Sequence, residues 1–202
     1  MKRNPRQLKE EHSISELARR AQAGQQEAFG ALVRYYGPRL YHFIRLKVRG
    51  EADAEDLVQE TMLKAYANLA RYDNRFAFST WLFTIGRREV VNYYRGRKRE
   101  EGKRAGREAG VSPDPVMLLT EQEEREQLWR LARHLPERQY DALWLRYVER
   151  QSVAEVAEVL GLTRIHVKVL LYRGRTGLAQ LHKRASVRER GRREAVLEKV
   201  LT

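Results

Sequence analysis

Apolar residues recur every three or four positions along most of the chain, which is the pattern of amphipathic helices. Residues 26–49 show this spacing first, and Gly37 and Pro38 interrupt it, which predicts a bend or a division of the helix. The apolar positions of this run are Phe29, Leu32, Val33, Tyr36, Leu40, Phe43 and Ile44. No segment alternates apolar and polar residues as a strand does. The pattern therefore predicts an all-α protein.

Helix-capping residues divide this pattern into separate helices. The predicted N-caps are Ser13, Asp53, Ser79, Ser152 and Thr163. Ser13 and Ser152 each stand three residues before a glutamate, which is the spacing of a capping box. The first of these helices is expected to end at a glycine, residue 24, and the last to end near residue 182, with a short extra helix after it.

The composition changes after residue 99. Residues 100–116 are nearly free of apolar side chains and contain glycine, serine and two prolines, so they predict a flexible linker. The linker separates a helical domain at residues 13–99 from a second helical domain at residues 117–182. A flexible N-terminus at residues 1–12 and a basic C-terminal tail at residues 183–202 complete the chain. The prediction is two small helical domains joined by a flexible linker.

Residues 76–99 begin with aromatic side chains and end with arginines, and they predict a helix with two unlike sides. The broad apolar side comprises Trp81, Leu82, Phe83, Ile85, Gly86, Val90, Tyr93 and Tyr94. The other side comprises Thr84, Arg87, Arg88 and Arg95, with Asn92 at its edge. Such a helix can pack in a core and still contact an anion. This segment alone leaves open the alternative of a solvated surface helix.

The charge of the whole chain favours an anionic partner. The 202 residues carry a formal net charge of +13 and have a pI of about 10.2, which points to nucleic acid or an anionic membrane. Cysteine is absent, so disulfides and thiolate metal sites are excluded, and a reducing cytoplasm fits. No apolar run is long enough to span a bilayer, and the N-terminus does not resemble a secretory signal.

Residues 152–181 have the pattern of a helix-turn-helix, with a short helix, a turn at Gly161 and a second helix. The second helix should turn Val167, Leu171, Gly174 and Leu178 inward, and Ile165, His166, Val169, Tyr172, Arg173 and Thr176 outward. Ile165 and Val169 are unusual on a solvated face, but on a DNA-reading face they can contact thymine methyl groups. A helical hairpin with a solvated basic side is the alternative.

A group of carboxylates gathers around the start of one predicted helix, at Glu51, Asp53, Glu55, Asp56 and Glu60. No histidine stands nearby in the sequence, so helix-dipole stabilisation and a protein-docking surface explain the group better than a metal or acid–base site. The five histidines have no ligand spacing, and neither a phosphate-binding glycine loop nor a nucleophile elbow is present. The sequence therefore predicts no catalytic residues, no metal site and no cofactor.

Three segments together resemble bacterial RNA polymerase sigma factors of the extracytoplasmic-function class. They are DAEDLVQETMLKAY at residues 53–66, FSTWLFTI at residues 78–85, and LPERQYDALWLRYVERQSVAEVAEVLGLTRIHVKVLLYRGR at residues 135–175. Their order and the linker between them also resemble that class. The resemblance implies a cytoplasmic protein that is not an enzyme. It would bind core RNA polymerase and direct it to promoters by recognising −10 and −35 elements and assisting promoter melting.

The resemblance also implies a role for each segment. The first domain would be region 2, and it would bind the clamp helices of the polymerase β′ subunit through Asp53, Glu55, Asp56, Gln59, Glu60 and Leu63. It would recognise and melt the −10 element through Phe76, Ser79, Thr80, Trp81, Arg87, Arg88, Asn92 and Arg95. The second domain would be region 4, which reads the −35 element and contacts the β flap. Its residues would be Thr163, Arg164, Ile165, His166, Lys168, Val169, Tyr172, Arg173 and Arg175.

Some positions depart from the pattern of the class. His166, Val169 and Leu170 replace residues that are more usual there, which puts the −35 sequence in question. Gly86 and Gly174 stand where alanine is commoner, which should cost about 0.5–1 kcal/mol of helix stability each. An anti-sigma factor is a further implied partner. One alternative is a stand-alone helix-turn-helix regulator of transcription, which leaves the region around Asp53 and Trp81 unexplained. The other is an RNA-binding or nuclease-like protein, and the absence of metal-ligand spacing weighs against the nuclease.

Overall fold

The protein is described from a computed structural model. The model describes the backbone of residues 5–48, 50–101 and 121–201, and the side chains of residues 12–48, 50–97 and 127–186. Within these ranges the chain is all helical, which confirms the predicted fold class. The helices are α1 (Pro5–Gln22), α2 (Gln26–Arg45), α3 (Glu51–Ala67), α4 (Phe78–Glu101), α5 (Glu121–Ala132), α6 (Glu137–Tyr147), α7 (Val153–Leu160) and α8 (Arg164–Leu201). A short 3-10 helix, Leu69–Arg71, follows α3.

The contacts of the chain divide it into two compact units. The first unit contains α1 to α4 and α7, and the second contains α5, α6 and α8. One of the boundaries between the units falls between Leu162 and Thr163. The two helices of the predicted helix-turn-helix therefore belong to different units.

The core of the first unit forms where α2, α3 and α4 pack together. Phe43 of α2 and Phe83 of α4 are fully buried, and their rings meet edge to face with centroids 5.2 Å apart. Gly86 lets α2 and α4 approach closely, because a Cβ atom there would lie 2.8 Å from Cδ1 of Leu40. The glycine that is unfavourable for α4 alone thus leaves room for the buried side chain of Leu40.

The helix starts in the first unit differ from the predicted caps. Helix α1 already begins at Pro5, so residues 5–12 are helical rather than flexible, and Ser13 lies inside the helix. These residues include Gln, Leu, Lys and Glu, which favour helix without producing an apolar pattern. Gly24, in the left-handed conformation with φ of 88°, follows the end of α1 as expected.

The structure also differs from the predictions for α2, α3 and α4. Helix α2 continues through Pro38 without division, because packing on both sides of the proline outweighs the one lost backbone hydrogen bond. Gly50 is the N-cap of α3, and Asp53 lies in the first turn. Helix α4 begins at Phe78, so Ser79 is part of its first turn and not its cap.

The predicted caps of α7 and α8 are confirmed. Ser152 Oγ accepts a hydrogen bond from the backbone N–H of Glu155 at 3.2 Å, and the Glu155 carboxylate accepts one from the backbone N–H of Ser152 at 2.7 Å. Gly161 ends α7 in the left-handed conformation, with φ of 62°. Thr163 Oγ1 accepts a hydrogen bond from the backbone N–H of His166 at the start of α8.

In the second unit, α8 packs against α5 and α6. Val167, Leu171 and Gly174 are buried, as their spacing predicted. Helix α8 runs without a break to Leu201, so the separate short helix expected after residue 182 is wrong. The linker predicted at residues 100–116 lies outside the described residues, apart from the end of α4 at Glu101.

Candidate nucleic-acid and protein-binding surfaces

Helix α3 presents acidic and polar side chains on its outer side. Glu55, Asp56, Gln59 and Glu60 are exposed, and Leu63 has an exposed fraction of 61%. We call these five residues the α3 face. Asp53 differs from them, because its Oδ2 accepts a hydrogen bond from the Tyr93 hydroxyl at 2.9 Å and lies 4.0 Å from the Arg97 guanidinium. Asp53 therefore joins α3 to α4 rather than extending the α3 face.

An apolar groove lies between α2 and α3, beside the α3 face. Its volume is about 700 Å³. Its apolar lining comprises Phe29, Val33, Pro38, Val58, Met62, Leu63 and Tyr66. Glu55 and Gln59 of the α3 face also line it, so the groove has an acidic and polar edge. The sequence did not predict this groove, although the exposed Leu63 and Tyr66 in a charged helix are a signal of it.

An aromatic cluster supports the start of α4. The ring of Trp81 lies 5.1 Å from that of Tyr72 and 5.5 Å from that of Phe78, measured between centroids. The hydroxyl of Tyr72 donates a hydrogen bond to the backbone carbonyl of Phe76 at 2.6 Å, and burial raises the pKa of Tyr72 to about 12. Phe76 itself is exposed. The cluster thus supports the half-buried Trp81, and its Tyr72 hydroxyl holds the backbone at the exposed Phe76.

The loop before α4 is held from a distant part of the chain. The side-chain amide of Gln22, at the end of α1, donates hydrogen bonds to the carbonyls of Leu69 at 2.9 Å and Tyr72 at 2.7 Å. Its amide oxygen accepts a hydrogen bond from Asn74. Within the loop, Arg75 pairs with Asp73, which lowers the pKa of that carboxyl. Sequence reasoning missed Gln22, because nothing in its own neighbourhood indicates a partner so far along the chain.

The structure separates the residues predicted for the −10 element into two groups. Arg88, Asn92 and Arg95 are exposed along α4, and Arg87 and Trp81 are half-buried. Ser79 and Thr80 are buried. Their contact with DNA stays a prediction, and it would require these covered side chains to become accessible.

A buried carboxylate interrupts the basic side of α4. Glu89 is buried and pairs with Lys64 of α3, and hydrogen bonding to Glu89 raises the pKa of Lys64. Because removal of the more exposed Lys64 would leave the buried Glu89 carboxylate unpaired, this pair links α3 to α4. Sequence reasoning missed it, since Glu89 stands next to Arg88 and looks like part of a solvated charged face.

The residues predicted for the −35 element share one exposed surface on α8. All nine are exposed, and Ile165 and Tyr172 have exposed fractions of 76% and 66%. Residues 163–186 contain no aspartate or glutamate. A basic helix side of this kind is suited to the phosphates of a nucleic acid.

The described residues contain no group of three or more histidine, cysteine, aspartate or glutamate side chains placed to hold a metal ion. None of the helices, within the same residues, combines the length and the apolar character that a membrane crossing requires.

Comparison with known proteins assigns both the α3–α4 part of the chain and the start of α8 to regions of one protein family. The family model for Sigma-70 region 2 matches residues 32–100, and the model for Sigma-70, region 4 matches residues 125–178. The ECF RNA polymerase sigma factor BldN of Streptomyces coelicolor is 33% identical over 174 residues, which are 83% of this chain and 65% of BldN. The chain belongs to the extracytoplasmic-function sigma factors.

Other relatives of this sigma factor include the ECF RNA polymerase sigma factor SigW of Bacillus subtilis. It is 27% identical over 181 residues, which are 83% of this chain and 96% of SigW. Among solved structures, the sigma factor RpoE of Bartonella quintana, in complex with the anti-sigma factor NepR, is similar at 25% identity and a TM-score of 0.63. That match covers 77% of this chain and 96% of RpoE.

The structure of CnrH in complex with the cytosolic domain of CnrY is similar at 27% identity and a TM-score of 0.58, over 85% of this chain and 97% of CnrH. In this sigma factor, the region 2 match contains the α3 face, part of the groove and α4. The region 4 match contains α6, α7 and the exposed start of α8. The resemblance stated from the sequence is confirmed.

Proposed function

We propose that this sigma factor binds core RNA polymerase through the α3 face and the groove beside it, and directs the enzyme to promoters. One observation carries the proposal. Helices α3 and α4 pack against each other and expose side chains of opposite character, acidic on α3 and basic on α4. A single helix pair thus offers one surface to a protein and another to nucleic acid.

The groove and the α3 face suit a basic amphipathic helix. Leu63 and Tyr66 are exposed apolar anchors, and Glu55 and Gln59 stand at the groove edge. A partner helix that buries its apolar side in the groove can pair its basic residues with this edge. The clamp helices of the β′ subunit are the occupant that membership in the family favours. Asp53 supports this surface from within, through Tyr93.

The start of α4 suits a single strand. Phe76 and Trp81 offer aromatic surface for unstacked bases, and Arg88, Asn92 and Arg95 follow along the helix for the backbone. Flipping a base out of a duplex costs a few kcal/mol, which stacking and phosphate contacts must offset. Binding a single strand and a flipped base requires positioned side chains, and it forms no covalent bond. We therefore infer that the protein is not an enzyme and acts in the cytoplasm with the polymerase.

The second unit suits duplex DNA. We infer that the exposed side of α8 enters the major groove of the −35 element, while the same domain contacts the β flap. The domains remain as proposed from the sequence, with region 2 at residues 13–99 and region 4 at residues 117–182. An anti-sigma factor is a further proposed partner, because the similar RpoE structure contains one.

The test separates polymerase binding from promoter opening. Leu63→Asp places a charge at the groove and should weaken core binding at least about tenfold, as loss of an interface anchor does. Ala67→Asp adds the same charge at an exposed position of α3 outside the groove, and it should bind normally. Trp81→Ala should retain core binding in co-purification and lose promoter-dependent run-off transcription.

Two results would contradict the proposal. One is failure of the wild-type protein to bind core polymerase at low salt. The other is a specific footprint on duplex DNA without polymerase, which would support the stand-alone helix-turn-helix regulator instead. That regulator leaves the α3 face and the groove without a role.

A further inference from the structure

The outer side of α8 carries an apolar stripe. The stripe is Ile165, Val169 and Tyr172, with exposed fractions of 76%, 39% and 66%. These positions recur at the helical repeat, so their side chains lie one above another on a single line. The inward side of the same helix is separately filled by Val167 and Leu171. The stripe is therefore not needed for the core of its unit.

Basic residues border the stripe on both sides. At about 100° per residue, Arg164, Lys168 and Arg175 fall on one side, and His166 and Arg173 fall on the other. All five side chains are exposed, and no carboxylate occurs among residues 163–186. The major groove of B-DNA is about 12 Å wide and admits one helix. In that position the basic rows face the phosphates of the two strands, and the stripe faces the base edges.

The stripe restricts which base edges are complementary to it. Ile165 and Val169 have no side-chain hydrogen-bonding atom, and facing them with an amino or carbonyl group of a base leaves that group without a partner. The methyl group of thymine is the apolar feature of a major-groove base edge. Four residues of helix span about 6 Å, and stacked bases are about 3.4 Å apart, so the two side chains reach base pairs one or two steps apart.

We propose that Ile165 and Val169 recognise thymine methyl groups in two A·T pairs of the −35 element that lie one or two steps apart. The inference rests on the proposed function, in which α8 reads this element. It makes Ile165 and Val169 specificity residues, and it assigns the flanking cations to sequence-independent attachment.

The experiment uses the full-length protein in holoenzyme with core RNA polymerase. Promoters are first selected from duplexes with a randomised −35 region and are checked by run-off transcription. Each thymine of the selected element is then replaced singly by deoxyuridine, which removes only the methyl group, and holoenzyme binding is measured. We expect replacement at two base pairs, one or two steps apart, to weaken binding about fourfold each, which corresponds to one buried methyl group, and replacement elsewhere to have no effect.

Variants assign each methyl group to its side chain. In Ile165→Ala the loss on deoxyuridine replacement should disappear at one of the two positions, and in Val169→Ala it should disappear at the other. Lys168→Met is the matched control from the basic border, and it should weaken binding to every sequence and lower the salt slope by about 0.9 while leaving both deoxyuridine losses in place.

The possible failures can be distinguished. If the wild-type holoenzyme initiates from the selected promoters but deoxyuridine has no effect at any position, the thymine proposal is wrong and the proposed function stands. Retention of both losses in Ile165→Ala and Val169→Ala also overturns the thymine proposal. If no selected promoter supports initiation, the proposed function is overturned, and the thymine proposal with it.

Discussion

The helices α4 and α8 use basic surfaces in different ways. Helix α4 packs against α1, α2 and α3, and of its predicted DNA residues Ser79 and Thr80 are buried. Helix α8 packs against α5 and α6 in its own unit, and all its predicted DNA residues are exposed. The first surface is built by several elements, whereas the second is one side of one helix.

This difference corresponds to the two proposed tasks. Opening a duplex requires aromatic rings and cations that are already positioned where the unpaired base binds, because these contacts must offset the cost of unpairing. Tyr72 and Gln22 provide such support, because both bind the backbone of the segment that leads into α4. Reading an intact duplex requires only a helix side that fits the groove. Loss of packing around α4 should therefore impair its proposed function. The exposed side of α8 should depend little on packing with other helices.

The largest effect should come from the core under α4. Phe83→Ala removes a fully buried ring that packs on Phe43, and it should lower the free energy of unfolding by about 3–5 kcal/mol. Val169→Ala, on the exposed face of α8, should change it by less than about 0.5 kcal/mol. Denaturant titration followed by circular dichroism measures both. Equal losses would remove the distinction between the two helices.

Two glycines of α4 should respond to alanine in opposite directions. Gly86→Ala forces a Cβ atom to within 2.8 Å of Leu40, so it should destabilise the protein by about 1–3 kcal/mol despite the gain in helix propensity. Gly96 has open space around it, and Gly96→Ala should stabilise the protein by about 0.5–1 kcal/mol. Denaturation midpoints give the sign. Stabilisation by both substitutions would show that α2 and α4 do not approach closely.

Removal of Gln22 should affect opening without affecting duplex reading. Gln22→Ala deletes three hydrogen bonds to the segment before α4, at Leu69, Tyr72 and Asn74, each worth about 0.5–1.5 kcal/mol. Promoter opening, followed by fluorescence of 2-aminopurine in the −10 element, should slow several-fold while binding to a −35 duplex is unchanged. Gln180→Ala, at an exposed position of α8, is the matched control. Unchanged opening in Gln22→Ala would argue against a role for the supported loop.

Near neutral pH the smallest effect is that of the titration of Tyr72, which changes stability only above about pH 10. Burial raises its pKa from 10.0 to about 12 in the folded protein, so the folded state favours the neutral phenol. Its contribution to stability is complete below pH 10 and is lost as the pH rises towards 12. The wild type should therefore lose more stability between these pH values than Tyr72→Phe does. An identical decline in both proteins would show that Tyr72 is not buried in solution.

The sequence by itself determined the helical fold, the capping box at Ser152, the turn at Gly161 and the outward side of α8. These features are local, or they follow from a helix that packs on one side only, where a period of 3.6 residues separates buried from exposed positions. Family membership rested on the same continuous stretches. The sequence was therefore sufficient to locate the exposed side of α8.

Only the tertiary structure decided the roles of Gln22, Asp53 and Glu89, the burial of Ser79 and Thr80, and the groove between α2 and α3. Each depends on residues far apart in the chain. A helix surrounded by several neighbours has no single outward side, and a carboxylate or amide looks solvated until its partner on another helix is known. For this reason periodicity located the surface of α8 correctly and located that of α4 only in part.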